Sequence, residues 1–430
     1  MGEAEAGAPG AYEARLWRFL RGALAARRRG RGGSGSQTAQ AAALMRAVAH
    51  LEGRGADRLA WDLLWEELAV LVPTPSAARA LRSAYDNKFP GLYGHVAART
   101  AVIDAAVLDA LEGGASQVVV LGAGLDTRAY RLPAPAGTTW VEVDTPASQE
   151  DKRRGLEAAG VGEEARARVA FLPVDFERDS LADALTGCEA YDPSRPAVFV
   201  WEFVAPYLTA GAVEEALWTV WQSSAPGSTL VFDFVDSSIY AEGAGQHGAA
   251  EFLDGVRMVG EGSLWGLAPA EHAGWARERG FEVTDWHNPA ALESGPALGG
   301  TGVKSYGFYH VLVARRAADR PLGAGPPTGG AVGAGVPAAA PAAEDAAAAP
   351  AASEADLLAQ VLSVLRATLG EEGDEVDEDS SFMDIGMESI EVTKLAQGIQ
   401  KLTGKELGEA AIFENDSARA LASHLSAPAA

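Results

Sequence analysis

The chain has 430 residues, 48% of them hydrophobic, with 35 Lys and Arg against 59 Asp and Glu for a formal net charge of −24. That balance argues against a nucleic-acid partner, which calls for a basic surface, and the single cysteine, Cys188, argues against a disulfide framework or a cysteine zinc site. No uncharged apolar stretch reaches the roughly 18 residues that a membrane span needs, so a soluble cytoplasmic protein with neither nucleic-acid nor membrane partners is expected.

Residues 1–33 carry Arg15, Arg18, Arg21, Arg27 to Arg29 and Arg31. They lack an apolar core followed by a small-residue cleavage site, so they read as a solvated basic arm and not a targeting peptide. Residues 34–316 form the body. Its first part, 37–94, reads as helical and as a cap on a sheet. "HVAARTAVIDAAVLDALEGG" then places apolar residues at helical spacing and ends in a Gly pair, as a helix terminus should.

Strands alternate with helical segments beyond it: "QVVVLG" (117–122), "TWVEVD" (139–144), "RVAFLPVD" (168–175), "AVFVWEF" (197–203), "STLVFDFV" (228–235), "FEVTDW" (281–286) and "FYHVLVA" (308–314). Runs of Val, Phe and Leu with little alternation suit strands covered on both faces, as in a parallel sheet between helices. The expected fold class is α/β. Residues 317–352 are nearly all Ala, Gly and Pro and cannot bury enough apolar surface to order themselves, so they read as a tether. A flexible tether of that length spans about 30–36 Å root-mean-square. Residues 353–430 hold sixteen Asp and Glu against five Lys and Arg, a net of −11, and read as a separate acidic module.

The chemistry gathers at the strand ends. "VVVLGAGLDTRAYRL" (118–132) runs from a buried strand into Gly122-Ala123-Gly124. Two glycines there let a ligand approach the backbone at the sheet edge where open α/β folds bind ligands. The spacing Gly-x-Gly-x-x-Thr lacks the third glycine of a dinucleotide fingerprint, and a tight strand-to-helix turn would use the same glycines. The second strand ends in Glu142 and Asp144, where a carboxylate accepts from ribose hydroxyls. Equally, Asp144 or Thr145 caps the helix that opens at Pro146. The third strand ends at Asp175 with Phe176 behind it, a pairing that suits an adenine amino group and ring; the fourth ends at Glu202. Carboxylates collected at one edge are costly unless something cationic or hydrogen-bond donating meets them. A ligand with a positive centre, a ribose and an adenine satisfies all of them.

The order of "HVAARTAVIDAAV", "VVVLGAGLDTRAYRL", "VEVDTPASQEDKRR", "LPVDF" and "VWEFVAPYLT" resembles the leucine carboxyl methyltransferase family, including its bacterial polyketide O-methyltransferase branch. The resemblance implies a class I S-adenosylmethionine-dependent methyltransferase fold: a Rossmann-like, seven-stranded, mostly parallel sheet with a helical N-terminal cap. By position it implies Arg99 on the cofactor carboxylate, Gly122 and Asp144 at the ribose, Asp175 and Phe176 at the adenine, and Glu202 on the methionine amino group. Gly124 completes the turn that lets the sulfonium donor lie against the backbone, while Asp126 to Arg128 shape the next turn.

In the tail, "FMDIGMESIEVTKLAQGIQKLTGKEL" resembles an acyl carrier protein, a small four-helix domain. The resemblance places Ser389 where 4'-phosphopantetheine is attached, ahead of an amphipathic helix bearing Ile390, Val392, Leu395, Ile399 and Leu402. Glu388 stands where that family has Asp, and the plain alternative for Ser389 is a helix N-cap. Together the resemblances imply an O-methyltransferase acting on a carrier-bound polyketide or related acyl chain. They also imply a phosphopantetheinyl transferase and polyketide synthase modules as partners. A hydroxyl acceptor needs a proton acceptor nearby. Tyr207 and His310 are the named candidates beside Asp233 and His95, with His310 also readable as a core histidine. The alternatives are carboxyl methylation of a free acid and a non-catalytic docking scaffold for synthase modules.

Overall fold

The computed structural model describes Leu16, residues 37–176, 178–241, 245–259 and 265–318, and in the tail 354–369, 377–382, 395–396, 398–400, 411–412 and 415–426. The basic arm apart from Leu16, the tether beyond residue 318, and Ser389 lie outside the described residues. The chain divides into two compact units, the first of residues 1–256 and 261–337 and the second of residues 257–260 and 338–430. No helix among the described residues is long and apolar enough to cross a membrane.

The first unit opens with helices α1 (Gln37–Leu51), α2 (Pro75–Lys88) and α3 (Leu92–Glu112). Local chemistry fixes their ends. Thr74 caps α2 by accepting from the Ala77 amide at 3.2 Å, with Pro75 at the first helical position. α3 starts at Gly91, whose φ of +94° is a left-handed value that favours glycine. This helix is the one expected from "HVAARTAVIDAAVLDALEGG", begun three residues earlier.

Seven strands among the described residues form one sheet: β1 (Gln117–Leu121), β2 (Thr139–Asp144), β3 (Val169–Pro173), β4 (Ala197–Trp201), β5 (Thr229–Val235), β6 (Phe281–His287) and β7 (Tyr309–Arg316). They stand in the order β3-β2-β1-β4-β5-β7-β6, and only β7 runs against its neighbours. The absence of alternation has the expected cause. Val118, Val120, Val198 and Val200 face a core shared with α1, α2 and α3, whereas Val119, Leu121, Phe199 and Trp201 face a second core on the other side. Burial on both faces leaves no polar side to the strand.

Strand order reverses at β1, with β2 on one side and β4 on the other, and a crevice at the carboxyl ends follows from that switch. Gly122, Asp144 and Glu202 each follow or close a strand meeting at that edge, and Asp175 lies just beyond β3.

The second unit contains α8 (Glu354–Leu369) and α9 (Ala418–Ser426), numbered after α4 (Pro146–Ala158), α5 (Ala210–Gln222), α6 (Ala249–Val259) and α7 (His272–Glu278). Its own core includes Leu357, Val361, Leu365, Phe382, Ile412 and Leu421, joined by Leu395 and Ile399 from the expected amphipathic helix. Leu395 and Ile399, four residues apart, share one helix face, which is why both are buried. Residues 383–394, which hold Ser389, Ile390 and Val392, are outside the described residues, as is Leu402.

Candidate active site at the sheet edge

The glycine turn is tightly built. Gly122 and Gly124 have φ of +65° and +41°, and a Cβ on Gly122 would come within 2.5 Å of a Val204 methyl carbon. The turn therefore seats the β4 exit against the β1 exit, and a larger residue at Gly122 would be strained at that φ and would have to displace Val204.

Asp144 holds that turn from the neighbouring strand. Its Oδ2 accepts from the Gly124 amide at 2.6 Å and its Oδ1 from the Thr145 amide at 2.7 Å. Thr145 caps α4, its hydroxyl accepting from the Ser148 amide at 3.4 Å. Of the two readings left open for Asp144 and Thr145, the cap thus falls to Thr145. Each oxygen of Asp144 keeps a second lone pair for a hydroxyl donor. The Val174 amide bonds to the Asp144 carbonyl at 2.9 Å, which brings Asp175 beside this position. Asp175 donates its own amide to Asp179 at 2.8 Å, and Phe176 packs half-buried against the second core.

Glu202 is the hub. Its Oε1 accepts from Arg99 Nε at 2.9 Å and its Oε2 from Arg128 Nη1 at 2.6 Å. Burial alone would raise its carboxyl, but the Arg128 and Arg99 guanidiniums outweigh that and hold it well below the usual carboxylate range. It is an anion at every working pH. Arg99, fully buried, also donates to Asp233 Oδ2 at 3.1 Å and meets His95 Nε2 at 2.9 Å. A guanidinium can only donate, so His95 Nε2 accepts and the proton of the neutral ring sits on Nδ1. Burial pushes the Asp233 carboxyl up to about 6, against the pull of Arg99.

Phe203 supports this hub through a strained backbone. Its φ is +58°, unusual for a residue other than glycine, and its amide donates to Asp233 Oδ1 at 2.8 Å. The ring lies under the Arg99 guanidinium at 4.6 Å, stacks on Tyr309 at 5.7 Å and meets Tyr207 edge-on at 5.5 Å. Tyr207, in the helical turn Ala205–Tyr207, thus shares an aromatic cluster with the hub.

His310 does not join it. Alternation along β7 turns Tyr309 toward Phe203 and His310 to the opposite face, where its Nδ1 accepts from Trp286 Nε1 at 3.2 Å and its ring stacks on Phe234 at 4.9 Å. Burial lowers its pKa from 6.5 to about 4. The folded protein therefore resists protonation here. Stability is expected to be intact above pH 6.5 and to fall by up to about 3 kcal/mol between pH 6.5 and 4. Urea titrations at several pH values check this: His310→Gln should remove that increment, and equal slopes for both proteins would refute it.

Arg128 exceeds the role expected of it. Besides Glu202 it holds both oxygens of Asp126 and, through Nε at 2.8 Å, Asp104 on α3, which also takes two bonds from Arg131. Its Nη2 is buried with no protein partner. An orphan cationic donor on the residue that holds the anionic Glu202, at the same sheet edge as a bare glycine turn and an Asp144 with free lone pairs, fits the amino-acid and ribose ends of S-adenosylmethionine. The signal for Asp104 was an acid within the apolar helix segment "AVIDAAV".

Residues 39–220 match the leucine carboxyl methyltransferase family, and residues 359–425 match the phosphopantetheine attachment site family. A protein of Mycolicibacterium smegmatis, named as an S-adenosyl-L-methionine-dependent methyltransferase, is 40% identical over 151 residues, covering 35% of this chain and 49% of its own. One of the same description from Mycolicibacterium paratuberculosis is 32% identical over 227 residues, 48% of this chain and 69% of its own. The chain spans about half the length of the first curated relatives it matches. A solved structure from Thermobifida fusca YX, named as a methyltransferase, aligns with a TM-score of 0.42 at 19% identity over 64% of this chain and 94% of its own.

Proposed function

We propose that this chain, which belongs to the leucine carboxyl methyltransferase family of S-adenosylmethionine-dependent methyltransferases and carries a phosphopantetheine-attachment domain, methylates an oxygen of a carrier-bound acyl chain. The observation that carries the reading is the presence of both families in one polypeptide. A tether of 36 residues (317–352) would hold a carrier-borne substrate near the catalytic unit at an effective concentration in the millimolar range, so a weak docking contact suffices.

When bound, S-adenosylmethionine supplies an electrophilic methyl group on a sulfonium. The residues that would hold it are Glu202 at the amino group, Arg99 and Arg128 at the carboxylate, Asp144 with the Gly122–Gly124 turn at the ribose, and Asp175 with Phe176 at the adenine. Their task is positioning, because an in-line displacement gains most from alignment of donor and acceptor. Tyr207 is the proposed acceptor-side residue. A neutral His310 on the far face of β7 suits structural support better than proton transfer. Ser389 is the proposed attachment point of 4'-phosphopantetheine, with a phosphopantetheinyl transferase as the modifying partner and polyketide synthase modules as the source of acyl chains.

A second reading, methyl ester formation on a free carboxyl, is favoured by the family match itself. One experiment separates them. The carrier is loaded with a hydroxyacyl chain, incubated with S-adenosylmethionine, and the product mass is read before and after mild base. A methylated acyl chain that keeps its methyl supports ether formation; methylation of free acids alone, lost in base, supports the ester.

A further inference from the structure

The helical cap meets the glycine turn through one buried ion pair. α1 passes over the turn so closely that a Cβ on Gly124 would come within 3.0 Å of the Ala39 Cβ. Two turns further along α1, Arg46 donates from Nη2 to the Leu125 carbonyl at 2.7 Å and from Nε to Asp57 Oδ2 at 2.8 Å. Asp57 lies in the segment between α1 and α2 and is 1% exposed. Its Oδ1 accepts from the Ala60 amide at 3.0 Å. Burial alone would raise its carboxyl, but the Arg46 and Arg131 guanidiniums outweigh that and hold it below the usual carboxylate range.

The Gly124–Leu125 stretch is thus held from both sides. Asp144 takes the Gly124 amide from β2, and Arg46 takes the carbonyl of the next residue from the cap. A guanidinium only donates, in a fixed fork, so the carboxylate that holds one arm of Arg46 decides where the other arm points. A second route leaves Asp57 through Arg131, 3.7 Å away, which bonds Asp104 at 2.5 and 2.8 Å. Asp104 also accepts from Arg128 at 2.8 Å, and Arg128 donates to Glu202. Both routes end at the sheet edge of Gly122 and Glu202, although Asp57 itself bonds to none of the residues assigned to the donor there.

We propose that Asp57 is a positioning residue for S-adenosylmethionine: it anchors Arg46 on the Leu125 carbonyl and so sets the glycine turn in the shape that receives the nucleoside end of the donor. The assignment rests on the reading that this edge binds the donor. Asparagine at position 57 is nearly isosteric, yet its amide offers one accepting oxygen where the carboxylate offers two. Whichever way it turns, either Arg46 Nε or the Ala60 amide then faces another donor. Arg46, with a side chain 10% exposed, becomes a buried cation without its carboxylate and gains by moving toward water, which releases the Leu125 carbonyl.

Calorimetric titration of S-adenosylmethionine into the full chain, Asp57→Asn, Arg46→Met and the double variant tests this, with each protein shown to be folded by urea titration. Each single variant should bind about fivefold more weakly, as for one hydrogen bond to a charged group transmitted in part. The double variant should bind no more weakly than Arg46→Met, whereas independent losses would multiply to about 25-fold. A residue that merely braced the fold would lower the urea midpoint and leave the affinities of the folded proteins unmoved. Parent-like affinity in Asp57→Asn, or multiplied losses in the double variant, overturns the proposal. If Asp57→Asn does not fold, Arg46→Met decides: a fivefold loss sustains the proposal and parent-like affinity overturns it. A parent chain that does not bind at all removes the reading of the site together with the proposal, whereas a binding parent with unaffected variants removes the proposal alone.

Discussion

Replacing Arg99 by methionine is expected to abolish measurable S-adenosylmethionine binding and to lower the unfolding free energy by about 3–5 kcal/mol. Methionine retains much of the aliphatic volume, so the loss is electrostatic. The Arg99 side chain is 1% exposed and contacts Glu202 at 2.9 Å and Asp233 at 3.1 Å. Without it, Asp233 is a buried carboxyl with no hydrogen-bonded cation and takes up a proton, while Glu202 keeps the hydrogen bond from Arg128 and the more distant charge of Arg46. His95 loses the donor to its Nε2 and Phe203 loses the cation over its ring. The strained Phe203 backbone then has less to hold it, and the β4 exit relaxes. Arg99→Lys should fall between, since an ammonium keeps the charge but cannot serve Glu202, Asp233 and His95 at once. Urea unfolding and calorimetric titration read the two effects separately. A methionine variant as stable as the parent would show that the hub is not held by charge.

Ser389→Ala is expected to have the other large effect, and an all-or-none one. Coexpression with a phosphopantetheinyl transferase should add the mass of the arm to the parent chain and nothing to the variant. Carrier-dependent methylation in cis should vanish with it. S-adenosylmethionine binding should be unchanged, because the residues proposed to hold it, from Arg99 to Glu202, all belong to the other unit. Intact-protein mass spectrometry decides this, and a variant still modified elsewhere would move the attachment point off Ser389. If Ser389 served only as an N-cap, alanine would cost about 1 kcal/mol of helix stability and the parent would gain no mass.

The sheet was legible in the sequence because its strands are covered on both sides. Val118 to Leu121 and Val198 to Trp201 read as uninterrupted apolar runs, and that pattern has few other causes in a soluble chain. Positions at the strand ends were legible for the same reason: Asp144 and Glu202 interrupt apolar runs where solvation alone gives no motive. What stayed hidden depends on side chains meeting from distant segments. Asp104, Arg128 and Arg131 are separated by up to 27 residues, and nothing in local spacing pairs Arg128 with Glu202, 74 residues away. The face taken by His310 follows from the register of β7 against β5, Phe234 opposite His310, which a lone histidine does not reveal. Likewise, only the close approach of the Lys304 backbone explains why a glycine, Gly94, stands within the helix that bears Arg99.

The central claim is that the Gly122 turn, Asp144 and the Arg99–Glu202–Arg128 cluster together form a pocket for an adenosyl sulfonium. Titrating S-adenosylmethionine into the parent chain and into Asp144→Ala by calorimetry addresses it most directly. The account predicts a saturable single-site isotherm for the parent and at least about a tenfold weaker one for the variant, which loses the carboxylate offered to the ribose and the bond that fixes Gly124. No heat of binding in the parent, or equal affinity in the two proteins, would contradict it.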